Sequence, residues 1–121
     1  NATLGGFHSL EVSETSSYTY FFRLPGDYTR TYEVDYFYNS DRVNAQRSGK
    51  MTFQLDATTN TLNFSDEYDY QGDANYESSL QFQAQMVNTD GQISVDTIIV
   101  SVLNSVVNDA GRFTFKIKVI G

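Results

Sequence analysis

At 121 residues the chain is one domain's worth of polypeptide, and 40% hydrophobic residues with a single proline supply enough apolar surface to argue against wholesale disorder. A net charge of −7 weighs against a phosphate backbone or an anionic membrane surface as partner. The absence of cysteine excludes disulfides and thiolate metal sites. The longest apolar run, Ile98-Ile99-Val100, is too short to cross a bilayer, so no membrane insertion is expected. Nine Tyr and nine Phe, with many Thr, Ser and Val, suit the half-buried surface of a pleated sheet and bias the chain towards an all-β fold.

Residues 1–6, with Gly5-Gly6 as punctuation, read as a flexible linker, and residues 7–121 as the domain. Phe7 to Val12 predicts a short strand, followed by a turn at Glu14-Thr15-Ser16-Ser17. Tyr18 to Leu24 alternates, with Tyr18, Tyr20, Phe22 and Leu24 on one face and Thr19, Phe21 and Arg23 on the other. Pro25-Gly26-Asp27 turns the chain into a partner strand, Tyr32 to Tyr38, which places Tyr32, Val34, Tyr36 and Tyr38 inward and Phe37 outward. The two strands are expected to form a hairpin with a loop of about six residues, longer than the usual two to five.

Asn39 to Ser48 reads as a polar connection carrying Arg42 and Arg47. Gly49 to Asp56 alternates again, with Met51, Phe53 and Leu55 inward. It turns at Ala57-Thr58-Thr59-Asn60 and returns as Thr61 to Ser65 with Leu62 and Phe64 inward. From Asp66 to Asp73 the pattern reads as an acidic, tyrosine-bearing turn. Ser78 to Val87 is the next strand, with Leu80, Phe82, Ala84 and Met86 inward and Gln81, Gln83 and Gln85 outward. Asp90-Gly91 marks a hairpin turn, and Gln92 to Leu103 needs a β-bulge near Asp96 to Ile98 to keep its phase. Arg112 to Ile120 closes the chain with Phe113, Phe115, Ile117 and Val119 inward. About eight strands, no convincing helix and no internal repeat predict a single-domain antiparallel β-sandwich or jelly roll.

The acidic run offers the main chemistry. Asp66, Asp69 and Asp73 present the hard oxygen ligands that Ca²⁺ takes, without the spacing of an EF-hand, so calcium is the one cofactor considered. The bland reading is a solvated corner in which Asp66 and Glu67 pair with Arg42 or Arg47. A glycosidase pair built from Asp66 and Asp69, or a triad using His8, lacks a cleft or a nucleophile motif, and no phosphate-binding loop appears. Tyr68, Tyr70 and Tyr76 are candidates for stacking on sugar rings or for a subunit contact. Phe21, Phe37, Ile99 and Ile120 fall on nominally outer faces and suggest burial against a second copy.

Several stretches resemble one family. They are Tyr36-Phe37-Tyr38, then Arg47-Ser48-Gly49-Lys50-Met51-Thr52-Phe53, then Phe64-Ser65-Asp66-Glu67-Tyr68 with Gly72 four residues on, Leu80-Gln81-Phe82-Gln83-Ala84, and Phe113-Thr114-Phe115-Lys116-Ile117. Their order resembles β-rich domains of bacteriophage virion structural proteins: tail fibre, spike, capsid fibre or decoration. The resemblance spans roughly three-quarters of the chain and leaves the first 31 residues outside. It implies a non-enzymatic part of the virion that assembles as a homo-oligomer, with a trimer favoured, alongside other virion proteins. It also implies surface presentation and contact with a host glycan. The competing expectation is a carbohydrate-binding module, calcium-dependent or not, of a secreted bacterial protein.

Overall fold

The computed structural model describes residues 7–25, 31–56, 59, 61–87 and 97–120. The linker at 1–6, the turn residues after Pro25 and the Asp90-Gly91 turn lie outside them. Eight strands run β1 Phe7–Ser13, β2 Thr19–Pro25, β3 Thr31–Asn39, β4 Ala45–Asp56, β5 Thr61–Gly72, β6 Leu80–Val87, β7 Thr97–Asn104 and β8 Ala110–Ile120. They form two antiparallel sheets, one of five strands in the order β1-β8-β3-β4-β5 and one of three in the order β2-β7-β6. One apolar cluster draws on both, which makes the domain a β-sandwich, as the alternation predicts.

Side-chain alternation fixes which face of each strand is buried. Tyr32, Val34, Tyr36 and Tyr38 of β3 are buried, as are Met51, Phe53 and Leu55 of β4 and Phe113, Phe115 and Ile117 of β8. Phe113 is fully buried at the centre of an aromatic cluster. Its ring centroid lies 4.9 Å from Phe21, 5.0 Å from Tyr36, 5.4 Å from Phe115 and 5.5 Å from Phe82. The β4–β5 hairpin pairs without interruption from Ala45↔Gly72 to Asp56↔Thr61.

The structure corrects the sequence reading in several places. β2 and β3 do not form a hairpin: β3 has β4 on one side and β8 on the other, which fills both of its hydrogen-bonding edges, so β2 joins the opposite sheet. Phe21 is not an outer-face residue. The β2–β7 register shifts between Tyr20 and Phe22, and this bulge turns Phe21 into the core while leaving Tyr18 and Tyr20 exposed. The acidic stretch is not a turn, because β5 continues to Gly72. A short 3₁₀-helix, Ala74–Ser79, follows it, with the Asp73 side chain accepting from the Asn75 N–H at its start. Val119 is exposed rather than inward. It lies beyond Lys116, the last β8 residue that pairs with the described part of β1.

Among the described residues neither outer strand of the five-stranded sheet, β1 or β5, has a second strand partner. β5 carries Asp66, Glu67 and Asp69 along its edge.

Truncating the hub of the aromatic cluster has a definite consequence. Phe113→Ala is expected to cost about 4 kcal/mol, against within about 0.5 kcal/mol for Phe37→Ala on the outer face. Urea unfolding of both variants checks the contrast.

Candidate functional site

The one basic side chain that β4 turns inward is Arg47, because residues 45, 47, 51, 53 and 55 share the buried face. Arg47 is therefore not part of a polar connection: the strand begins at Ala45 and carries it into the sandwich, 5% exposed. Burial of a cation demands partners, and each nitrogen of the guanidinium has one. Nε donates to the Tyr36 hydroxyl at 3.0 Å, Nη1 to the Leu80 carbonyl at 2.5 Å and Nη2 to Asp66 Oδ2 at 2.5 Å. The Tyr36 hydroxyl donates onward to Asp66 Oδ1 at 2.7 Å, closing a ring of three side chains. Burial, strengthened by the Asp66 carboxylate and opposed by the Arg47 charge, holds the Tyr36 phenol well above its ordinary range, so it stays protonated as that donor. The Tyr68 ring covers the guanidinium at 3.6 Å, and Phe82 lies on it at 5.4 Å.

Gly49 makes this closeness feasible. A Cβ there would stand 2.5 Å from the Glu67 carbonyl, 2.7 Å from the Tyr68 Cβ and 3.0 Å from the Tyr36 hydroxyl. The ring ties β3, β4 and β5 of one sheet to the first residue of β6 in the other. Arg47 and Asp66 have their polar atoms committed to this ring and to the Leu80 carbonyl, an arrangement that holds the strands together.

A second buried carboxylate, which sequence reading did not single out, is Asp109. Tyr38 and Asn104 donate to its Oδ2 at 2.5 and 2.8 Å, and Ser40 Oγ and the Asp41 N–H to its Oδ1 at 2.9 Å each. Asn104 also donates to the Val12 carbonyl and accepts from the Val106 N–H. The cluster fastens the end of β1, the β3–β4 turn and the β7–β8 turn together. Burial raises the Asp109 carboxyl, but the hydrogen bonds from Tyr38, Asn104, Asp41 and Ser40 outweigh it and hold the group below the usual carboxylate range. Burial and the Asp109 charge raise the Tyr38 phenol in turn. Asn108, in the turn before Asp109, stands at φ 58°, a left-handed conformation that Asn tolerates.

The remaining candidates separate. Arg42 pairs with neither Asp66 nor Glu67; its Nε donates to the Asn108 carbonyl at 3.0 Å. Glu67 sits on the outer face, across from Lys50 in the register. Asp66 and Asp69 lie on opposite faces of β5, while Asp73 caps the 3₁₀-helix, so the three carboxylates proposed for calcium do not converge. No three His or carboxylate side chains among the described residues are grouped to hold a metal ion. Tyr68 covers Arg47, the Tyr70 hydroxyl donates to the Asp73 carbonyl, and Tyr76 is half-buried in the helix, so they do not share one platform. Ile99 is half-buried on the outer face of the three-stranded sheet.

The outer face of the five-stranded sheet holds a shallow depression lined by Asp35, Ser48, Lys50, Glu67 and Asp69 over the backbone of Tyr36, Gly49 and Tyr68. Register places Lys116, Asp35, Lys50 and Glu67 in one row across β8, β3, β4 and β5, with alternating sign. Lys118 and Asp35 pair at 2.8 Å on this face. Phe37 stands 49% exposed on the central strand, between Thr114 and Ser48. Phe7 lies at the side with Lys116 over its ring at 5.5 Å.

Breaking the Arg47 ring from one side strands a buried charge. Asp66→Ala is expected to lower unfolding free energy by about 3 kcal/mol, and Arg47→Met, which removes the charge but keeps much of the volume, by clearly less. Chemical denaturation of the two variants measures the difference. For Asp109 the folded carboxyl titrates below the unfolded one, so its stabilisation is present above the usual Asp value of about 4 and is lost as pH falls through the folded value. The stability gap between the parent and Asp109→Asn is therefore expected to shrink on acidification below about pH 4, followed by denaturant midpoints across that range.

No family model, curated protein or solved structure matches the chain.

Proposed function

We propose that the chain is a non-enzymatic structural domain of a bacteriophage virion protein, a fibre, spike or capsid decoration, that works in assembly and surface presentation. The family reading comes from the sequence resemblance. What supports assembly is the outer face of the five-stranded sheet. Phe37 stands half-exposed at its centre, Ser48 and Thr114 are too small to cover it, and a row of alternating charges runs beside it. A surface of alternating sign with an aromatic centre offers complementary charges and an apolar anchor to a second copy of the chain. The internal chemistry fits the same role. Among the described residues no buried side-chain nitrogen or oxygen lacks a partner, so the polar interior is committed to rigidity.

Light scattering coupled to size exclusion tests the reading. The intact chain is expected to give a closed oligomer, a trimer by the resemblance, and Phe37→Glu a monomer whose circular dichroism spectrum is unchanged. A monomer at every concentration for the parent chain would sink the assembly claim. The encoding locus is expected among portal, capsid or tail genes; a position beside secreted polysaccharide-degrading enzymes would overturn the virion assignment.

A further inference from the structure

The two outer faces of the sandwich differ in charge. The five-stranded sheet carries carboxylates and lysines, whereas the three-stranded sheet presents a different surface. Its outward residues are Tyr20 and Arg23 on β2, Ile99, Ser101 and Leu103 on β7, and Gln81, Gln83 and Gln85 on β6. Among the described residues of this face there is no carboxylate, in a chain whose net charge is −7.

Register sets the geometry. Tyr20, Ser101 and Gln83 lie in one row, and Arg23, Ile99 and Gln85 in the next. With strands about 4.8 Å apart, Tyr20 and Gln83 stand roughly 10 Å from each other across a small serine. Ser101, with half-buried Ile99 and Leu103 on the same strand, thus lies between an aromatic ring on one neighbour and a ladder of amides on the other. Tyr20 is 58% exposed, held outward by the bulge that drives Phe21 into the core. Gln81 is fixed at the end of the ladder: it accepts from the Tyr18 hydroxyl at 3.1 Å and donates to the Ser78 carbonyl at 3.0 Å. Gln83 and Gln85 are exposed and make no side-chain hydrogen bond among the described residues.

From this we infer that the outer face of the three-stranded sheet binds a neutral polysaccharide, with Tyr20 stacking on a sugar ring and Gln83 and Gln85 hydrogen-bonding its hydroxyls. Each primary amide offers both donors and an acceptor, which matches the mixed donor and acceptor character of sugar hydroxyls. An exposed aromatic ring supplies the apolar face that a pyranose covers at low entropic cost. Charge selects the ligand class. Among its described residues the face carries one charge, the exposed Arg23, so discrimination against an acidic polysaccharide comes from the strongly negative remainder of the molecule, which an uncharged chain of hydroxyls does not feel. A second copy is the weaker occupant. The projecting groups are solvated amides, and the apolar side chains, Ile99 and Leu103, lie half-buried beneath them, unlike the apolar centre of a stable homo-oligomer interface. The site lies on the sheet opposite Phe37 and does not depend on the assembly reading.

Affinity electrophoresis of the intact chain in gels containing soluble neutral polysaccharides (a β-glucan, a dextran, a galactomannan and a mannan), with alginate as the acidic comparison, tests it. Retardation is expected with at least one neutral polymer and not with alginate, unchanged by chelator. It should weaken at least tenfold in Tyr20→Ala and in Gln83→Ala, and be unaffected in Phe37→Ser. Because Tyr20 and Gln83 are exposed, these variants should fold, and circular dichroism of each checks that they do. No retardation across the neutral panel overturns the inference, as does retardation that survives both substitutions. A fall in oligomer mass on Tyr20→Ala without any polysaccharide binding would assign the face to a second copy and overturn it equally.

Discussion

The constraint on which the rest of the sandwich depends is the burial of one guanidinium between two sheets. A cation withdrawn from water is tolerable only when every donor finds an acceptor, and Arg47 meets that condition by reaching across the core to the Leu80 carbonyl. That single bond fixes where β6 starts relative to β4. The Asp66 and Tyr36 bonds then fix the neighbouring strands on either side of β4. Apolar packing alone would accept a range of small slides between the sheets; a forked, planar donor set accepts far fewer. Gly49 belongs to the same constraint, since the closeness of β5 leaves no room for any side chain there.

The Asp109 cluster does at the end of the sandwich what Arg47 does inside it. Two inward tyrosines of β3, Tyr36 and Tyr38, end in hydroxyls that reach opposite clusters, one through Asp66 and one through Asp109. A strand of phenylalanines would have given a similar apolar volume and no such anchoring. The tyrosine richness seen in the composition thus has an identified use: the rings fill the core while their hydroxyls satisfy buried carboxylates at its margins.

Much of the fold was legible because alternation is a local signal. β3, β4 and β8 have their inward residues where the period of two puts them, and the β4–β5 hairpin follows from two such runs and a short turn. Most of the failures share a cause: they depended on a partner distant in sequence. Pairing of β3 with β8 spans some eighty positions and displaced the local hairpin with β2. The bulge at Phe21 is set by how β2 meets β7. The acidic stretch read as a turn because aspartate and glutamate are poor strand formers, yet β4 pairs with it along its whole length and Arg47 neutralises one of its acids. Arg47 itself was identified as a partner for Asp66, but its burial was not, since nothing within a few residues of it announces an interior position. Asp109 was invisible for the same reason, its phenol partner lying 71 residues away.

The acidic edge of β5 also sets how copies of this domain can meet. An open strand edge is a template for sheet extension, and β5 is twelve residues long. A second β5 laid alongside would bring Glu67 and Asp69 against like acids, with no lysine or arginine on the strand to separate them. Growth by continuing the sheet through β5 is therefore disfavoured at neutral pH, which favours contacts through the broad faces. Even at high local concentration, copies of the domain would not zip together β5 to β5.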